Sequence, residues 1–250
     1  MRGRNRLNFR REVQMIFQDP YETLNPRFNV LETIAEPLRI HGVKEKDEIH
    51  RRVLEVLELA ELKPPEQYLY SFPHELSGGQ RQRVAIARGI VLEPKFLVAD
   101  EPVSMLDVSI RADILNLLKK LRQQMGLTML YVSHDLSTIK YLCDRIAVMY
   151  LGKIVEIGPV NEVVAAPQHP YTKALLSAVP VADPDYVKER LVIDDEVPDQ
   201  INLPEGCRFR PRCPYATAAC VGFSHELVER AEGQFSACIY TPEEWKSPVS

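Results

Sequence analysis

The sequence contains no apolar run that approaches the ~18 residues of a membrane-spanning helix. Its arginine-rich start is not followed by the apolar stretch of a secretory signal. Strong charge is missing as well, because the formal net charge is only -4, so the molecule as a whole presents no strong field to nucleic acids or anionic lipid. These absences predict a cytosolic chain that binds any polyanion at a local site.

The closely spaced cysteine pairs of structural zinc sites are also missing. Of the 5 cysteines, Cys143 lies in an apolar helical segment and is expected in the core, whereas four lie between Cys207 and Cys238. In a reducing compartment such a cluster favours a local metal site over a disulfide framework. Four thiolates can ligate an iron–sulfur cluster at irregular spacing if loops bring them together, so an iron–sulfur cluster, zinc and free thiols remain the alternatives.

What is present is a chain of 250 residues, 45% of them hydrophobic, which is enough for one large domain or for one domain and an appendage. From about Pro180, proline, aspartate and cysteine become frequent and the apolar periodicity weakens. This change predicts a small, loop-rich appendage that something other than a hydrophobic core holds together.

Before that point, short apolar runs alternate with helical periodicity. The runs 96–99 and 128–132 are separated by a helical segment over 110–124, and this β-α-β order predicts a parallel sheet. The arginine-rich stretch 2–11 is expected to be solvated. The remaining predicted elements are strands over 13–17, 145–150 and 153–157, helices over 44–62, 80–91 and 136–142, and a last helix that ends before Pro167.

Two carboxylates, Asp100 and Glu101, directly follow one of the apolar strands, at the end where parallel sheets bind ligands. An aspartate there can hold Mg²⁺, and a neighbouring glutamate can polarise a water molecule for attack on a phosphate. Acidic residues after a strand are more often helix caps. The pair alone is therefore a weak signal.

The segment Leu76–Gln80 places Ser77, Gly78 and Gly79 at a predicted helix start. Small residues there let backbone N–H groups and the positive end of the helix dipole meet an anion, and a phosphate is the natural guest. A capping turn without a ligand is the alternative. Three further motifs follow this segment in the chain: Asp100–Glu101, Ser104–Asp107 and Ser133–Asp135. All four in this order arise by chance far less often than any one of them.

In order and spacing, these motifs resemble those of ABC ATPases over about residues 12–160. The correspondence covers the Q-loop, the signature, the Walker B motif, the D-loop and the switch histidine, which fall in that order on Gln18, Leu76–Gln80, Asp100–Glu101, Leu106–Asp107 and His134. The resemblance implies an α/β fold of the P-loop NTPase type, with a parallel sheet and a helical signature subdomain, in a domain over residues 1–165.

The resemblance also implies ATP and Mg²⁺ as cofactors and assigns roles to the matched residues. Asp100 would bind Mg²⁺ through water, Glu101 would be the general base, His134 would contact the γ-phosphate, and Gln18 would sense both Mg²⁺ and the membrane subunits.

A second ATPase subunit is implied by the signature motif. The residues expected to close over nucleotide held by that other subunit are Ser77, Gly78, Gly79 and Gln80, and Asp107 of the D-loop is expected at the same nucleotide site.

Three further segments look like the dipeptide and oligopeptide importer branch, to which nickel importers are close: 72–75, 98–104 and 169–176. This branch implies two membrane permease subunits, an extracytoplasmic solute-binding protein and a peripheral location on the cytoplasmic face of the membrane. The segment 206–214 resembles its C-terminal region, expected over residues 166–250, in which four cysteines are associated with a [4Fe–4S] cluster. The ligands would be Cys207, Cys213, Cys220 and Cys238.

The sequence departs from the family pattern in two places. Met105 stands where the D-loop usually has alanine, and no Gly-x-x-x-x-Gly-Lys-Ser/Thr loop occurs anywhere. We therefore expect Met1 to fall inside the ATPase domain, after the loop and the first strands, and the chain alone to be inactive.

A non-catalytic partner that offers only its signature face is one alternative to a working ATPase. A soluble ABC ATPase of DNA repair or translation is disfavoured, since neither a coiled-coil insertion nor a second cassette is present. The transported solute stays open, because the ATPase does not touch it.

Overall fold

The computed structural model describes residues 4–179 and 203–245. It divides into two compact units, Met1–Asp135 and Leu136–Ser250. The boundary predicted between residues 165 and 166 lies inside the second unit. Among the described residues, no helix is both long enough and apolar enough to cross a membrane.

The first unit is an α/β unit built on a three-stranded parallel sheet in the order β1-β2-β3. Helix α6 connects β2 to β3, as the β-α-β pattern predicts. The elements of this unit are α1 (Arg4–Glu12), β1 (Val13–Ile16), α2 (Pro20–Thr23), α3 (Val30–Ile40), α4 (Lys46–Leu59), α5 (Gly78–Ile90), β2 (Phe96–Asp100), α6 (Val108–Met125) and β3 (Thr128–Val132).

Side-chain caps start α5 and α6 two residues earlier than the apolar periodicity predicts. The Ser77 hydroxyl accepts a hydrogen bond from the Gln80 backbone N–H, and the Gln80 side chain accepts one from the Ser77 N–H. Asp107 caps α6 by accepting from the N–H of Ile110 at 3.0 Å. The caps satisfy N–H groups that periodicity does not register, so each helix begins at its cap.

The basic stretch at the start of the chain is helical, which the sequence pattern did not predict. Residues 5–12 of α1 are exposed, in agreement with the expected solvation. Arginine is a good helix former, but a helix without an apolar face leaves no periodic signal to read.

The second unit contains a four-stranded antiparallel sheet in the order β4-β5-β7-β6. Its elements are α7 (Leu136–Leu142), β4 (Arg145–Tyr150), β5 (Lys153–Pro159), α8 (Val160–Ala165), α9 (Pro170–Ala178), β6 (Val228–Ala231) and β7 (Gln234–Ser236). The central strand β5 pairs with β4 on one side and with β7 on the other. Strands from both sides of residue 165 therefore share one sheet.

The expectation that the C-terminal appendage lacks a core is wrong for the described residues. Phe209 is completely buried in a hydrophobic cluster with Ile146, Val148 and Tyr150 of β4. Its ring meets that of Tyr150 edge-on, with 5.3 Å between centroids. One aromatic residue thus anchors a loop-rich segment, and a single anchor produces no periodicity in the sequence.

A buried carboxylate ties three parts of this unit together. Glu156 of β5 accepts hydrogen bonds from the backbone N–H groups of Gln168 and His169, at 2.7 and 3.0 Å, and from the side chain of Gln234 at 2.8 Å. Burial raises the pKa of Glu156, and these hydrogen bonds, together with one from Thr172, act against that rise.

Candidate active site

Glu101 stands at the carboxyl end of the parallel sheet, and its backbone is fixed by two neighbouring segments. Its N–H donates to the carbonyl of Val132, the last residue of β3, at 2.9 Å. The N–H and hydroxyl of Ser104 both donate to the Glu101 carbonyl. These bonds hold Glu101 at φ +42°, in the left-handed region that a non-glycine residue rarely adopts.

The side chain of Glu101 contacts two of the residues predicted to act with it. His134 Nδ1 lies 2.9 Å from one carboxylate oxygen, and Gln18 Nε2 donates to the other at 3.0 Å. His134 and Gln18 follow β3 and β1, so the loops after all three parallel strands deliver one side chain each. The Glu101 side chain is 22% exposed and that of His134 is 73% exposed, so the group is open to water and to a ligand.

Asp100, the predicted Mg²⁺ ligand, is the last residue of β2 and pairs in register with Val132. It is half-buried, directly beside Glu101 in the chain. Its carboxylate type and its place at the sheet edge suit Mg²⁺, which prefers oxygen ligands. Its role as a metal ligand stays a prediction.

The signature segment lies at the N-terminus of α5, as predicted. A Cβ on Gly79 would lie 2.7 Å from Cγ2 of Ile110, whereas a Cβ on Gly78 would find its nearest neighbour, the Tyr21 hydroxyl, at 3.8 Å. Gly79 is therefore required for the close approach of α5 to α6. Contact of Ser77, Gly78, Gly79 and Gln80 with a phosphate stays a prediction.

Arg111, which the sequence reasoning missed, connects the D-loop to the segment that carries the histidine. Its guanidinium donates to the Leu106 carbonyl at 3.3 Å and lies 3.6 Å from the Asp135 carboxylate. Arg111 and Asp135 are 24 residues apart in the chain, so no short-range pattern signals this pair. The observed role of Asp107 is to cap α6.

A second missed contact joins the segment after Gln18 to the signature helix. The guanidinium of Arg81 lies over the ring of Tyr21, 4.0 Å from its centroid. No periodic pattern links these positions, so only the folded chain reveals the pair.

The four clustered cysteines line one pocket of the second unit, together with His169, Phe209, Tyr215 and Trp245 among others. All four cysteines are free thiols. Burial raises the pKa of Cys207 and Cys238, and it raises the pKa of Cys213 to about 12. Within residues 4–179 and 203–245, no three Cys, His, Asp or Glu side chains are grouped to hold a metal ion. The expected iron–sulfur cluster therefore has no support from the arrangement of its ligands.

Comparison with known proteins adds family information to this geometry. Residues 1–104 match the family described as ABC transporter, and residues 155–220 match the oligopeptide/dipeptide transporter C-terminal region. A putative peptide import ATP-binding protein of Brucella ovis is 51% identical over 230 residues, which are 92% of this chain and 72% of that protein. The putative oligopeptide transport ATP-binding protein YkfD of Bacillus subtilis is 47% identical over 245 residues, 96% of this chain and 74% of that protein.

A solved structure matches as well. A dimeric ATP-binding cassette in a post-hydrolysis state, bound to ADP and Pi, gives a TM-score of 0.55 at 33% identity, covering 64% of this chain and 68% of that one. The expected fold class is thereby confirmed.

Proposed function

We propose that this chain, which belongs to the ABC transporter family of ATP-binding subunits, serves an importer of peptides or oligopeptides. The reaction of the family is ATP hydrolysis coupled to transport. The peptide specificity is supported by the peptide and oligopeptide import named for the relatives and by the match of residues 155–220. The observation that carries the catalytic proposal is the contact of Glu101 with both His134 and Gln18 at the carboxyl end of the sheet.

In this proposal Glu101 accepts the proton of the water that attacks the γ-phosphate of ATP. His134 would contact the γ-phosphate, and Gln18, which donates to Glu101 in this structure, would sense Mg²⁺ and the membrane subunits. Asp100 would hold Mg²⁺ through water, and the ion would supply positive charge to the phosphates. The left-handed backbone of Glu101, held by Val132 and Ser104, aims the carboxylate at the reacting water.

The proposed assembly contains a second ATPase subunit, because a helix N-terminus such as that of α5 is suited to phosphate held by another chain. The similar ATP-binding cassette is dimeric, which supports this arrangement. Two membrane permease subunits and an extracytoplasmic solute-binding protein would complete the importer, with this chain peripheral on the cytoplasmic face. A nickel chelate is the alternative solute.

We retain residues 1–165 as the ATPase domain and 166–250 as the importer-specific region.

A second candidate function is that of a non-catalytic partner, favoured by the lack of a Gly-x-x-x-x-Gly-Lys-Ser/Thr loop in these residues. That loop cradles the β- and γ-phosphates, and without it Asp100 and Glu101 face an unanchored triphosphate. We expect the 250 residues alone neither to bind ATP tightly nor to hydrolyse it. In an assembly with an intact subunit, they would complete one composite site through Ser77–Gln80.

Calorimetric titration with Mg-ATP, followed by phosphate release, tests this proposal. The isolated chain should show no micromolar binding, and addition of an intact partner subunit should restore turnover at a single site. Tight binding by the isolated chain, with turnover abolished by Glu101→Gln, would show that another segment replaces the loop.

For the cysteine pocket we retain the [4Fe–4S] cluster as the proposed cofactor, with Cys207, Cys213, Cys220 and Cys238 as ligands. Four thiols on one pocket provide the right donor type, although their side chains would have to turn toward a common point. Protein purified without oxygen should be brown and contain about four iron atoms, and Cys213→Ser should lose the colour. Stoichiometric zinc without iron would contradict the cluster and indicate a structural zinc site instead.

A further inference from the structure

Arg111 stands on the first turn of α6 and reaches two loops that are separate in the chain. One terminal nitrogen, Nη2, donates to the Leu106 carbonyl of the D-loop at 3.3 Å, and the other, Nη1, lies 3.6 Å from the Asp135 carboxylate. The Arg111 N–H donates to the carbonyl of Asp107, so the start of the helix fixes where this side chain begins. One guanidinium therefore spans the D-loop and the residue that directly follows His134.

Both of these loops also lead to Glu101. The Ser104 N–H donates to the Glu101 carbonyl at 3.2 Å, so a tight turn carries the chain from Glu101 toward Leu106. From the other loop, His134 Nδ1 lies 2.9 Å from the Glu101 carboxylate. Arg111 thus closes a ring of contacts that begins and ends at Glu101.

The segment Ser133–Asp135, called here the histidine loop, needs support from outside because the His134 side chain is largely exposed. Within the loop, the Asp135 N–H donates to the Ser133 hydroxyl at 3.0 Å, which shapes the turn around His134. The ion pair of Asp135 with Arg111 holds this turn against the D-loop. The position of the imidazole therefore depends on a residue that lies outside the loop.

Arg111 also changes the charge that a phosphate would meet at His134. Two carboxylates belong to the neighbours of this imidazole: Glu101, which contacts it, and Asp135, which comes next in the chain. Both would repel the γ-phosphate, and the guanidinium offsets the charge of Asp135. A lysine would supply a positive charge at one point, but a single ammonium group cannot span Leu106 and Asp135 as two guanidinium nitrogens do.

We propose that Arg111 is a positioning residue of the ATPase reaction, which holds His134 for the γ-phosphate by tying the histidine loop to the D-loop and by neutralising Asp135. The inference rests on the proposed function, in which Glu101 and His134 act on ATP. Arg111 itself contacts neither the nucleotide nor the attacking water in this scheme.

The first part of the test uses the 250-residue chain and needs no nucleotide. Arg111→Met keeps the apolar stem and removes the guanidinium, and the variant should stay folded because both side chains of the ion pair are about one-third exposed. Protection of the Asp135 N–H against hydrogen exchange, measured by NMR and corrected for residue type, should fall about three- to tenfold. Asp135→Asn should lower it similarly, and the double variant should lower it no further.

Arg51→Met is the matched control, because it removes an exposed ion pair with Glu55 on α4. It should leave the protection of the Asp135 N–H unchanged.

The second part measures ATP hydrolysis by a chain in which these 250 residues follow the phosphate-binding loop of a relative. Arg111→Met should lower kcat about tenfold or more and change KM for ATP less than about twofold, because the loop binds the phosphates while His134 is misplaced. Arg111→Lys should recover only part of the lost kcat, since it restores the charge without the span. A merely structural role would lower the amount of folded protein and leave kcat per folded molecule unchanged.

The outcomes distinguish this inference from the proposed function. Additive losses of protection, full recovery by Arg111→Lys, or a wild-type kcat in Arg111→Met beside a slow Glu101→Gln would each overturn the inference and leave the ATPase function in place. If Glu101→Gln hydrolyses ATP as fast as the wild type, the proposed function fails and the positioning role fails with it. Non-additive losses of protection, together with a reduced kcat that Arg111→Lys restores in part, support the inference.

Discussion

The Glu101 carboxylate lies 2.9 Å from Nδ1 of His134, although 33 residues separate the two in the chain. Strands β2 and β3 are parallel neighbours, so the residues that follow them arrive at the same edge of the sheet. The contact is therefore a consequence of topology. It shows how two motifs that are distant in sequence meet at one site.

If Glu101 is the general base, Glu101→Gln should keep ATP binding while slowing hydrolysis by about 100-fold or more, since the amide keeps the shape and cannot accept the proton. The measurement is single-turnover hydrolysis by a chimera in which these residues follow the phosphate-binding loop of a relative. Glu93→Gln is a matched control, because that side chain is 75% exposed and pairs with Arg52. Hydrolysis by Glu101→Gln at the rate of the control variant would show that Glu101 is not the general base.

The two glycines of the signature should respond oppositely to alanine. Gly79→Ala places a Cβ against Ile110 and should lower the free energy of unfolding by about 1–3 kcal/mol. Gly78→Ala meets only ordinary contacts and should raise it by about 0.5–1 kcal/mol, because alanine loses less backbone entropy in a helix. Urea unfolding of the chain measures both.

The steric explanation also predicts a rescue. The double variant Gly79→Ala with Ile110→Ala removes the clashing Cγ2, so its second substitution should cost less than Ile110→Ala costs in the wild type. Additive effects in this cycle would refute the proposed contact.

Replacing the buried carboxylate of the second unit should be among the most damaging single changes there. Glu156→Ala leaves the N–H groups of Gln168 and His169 and the Gln234 amide without their acceptor, at a cost of about 2–4 kcal/mol. Glu162→Ala, on the exposed face of α8, should change stability by less than about 0.5 kcal/mol. Thermal unfolding compares the two, and equal melting temperatures would contradict the network.

The ion pairs of Glu61 predict a pH dependence in the first unit. The hydrogen bond from Lys120, followed by that from Arg83, holds the pKa of Glu61 below its ordinary value of 4.5, while burial opposes the shift. A carboxyl with a lowered folded pKa contributes stability above its unfolded pKa and loses it as the pH falls through the folded pKa. Glu61→Gln should therefore cost about 0.5–1 kcal/mol near neutral pH and progressively less below about pH 4.5.

Urea unfolding of wild type and Glu61→Gln at several pH values measures this difference. Salt should reduce it at neutral pH, because the pairs are partly exposed. A difference that does not depend on pH would assign the effect of the substitution to packing.

Much of the first unit was predictable from the sequence. Short-range apolar patterns predict the strand over 128–132 and the alternation around α6, and the observed bounds of β3 agree with the predicted ones. In the second unit the bounds of α7 and β4 agree as well. The meeting of Gln18, Glu101 and His134 was predictable only through the family resemblance, because periodicity cannot identify which loops share an edge of the sheet. The start of α5 was predictable from the residue types at Ser77, Gly78 and Gly79, whereas the Asp107 cap of α6 was not predicted, because a cap is one hydrogen bond and not a periodic pattern.

By itself the sequence determined the order of the elements and the chemistry that follows each strand, because local spacing sets both. Only the tertiary structure decided that β7 joins β5, that Phe209 enters the core of the second unit, that Gly79 faces Ile110, and that Trp245 and Arg210 face the cysteine pocket. Each of these is a single contact between residues far apart in the chain or on different elements. Such contacts depend on how whole elements pack, and packing leaves no trace in the short-range order of residues.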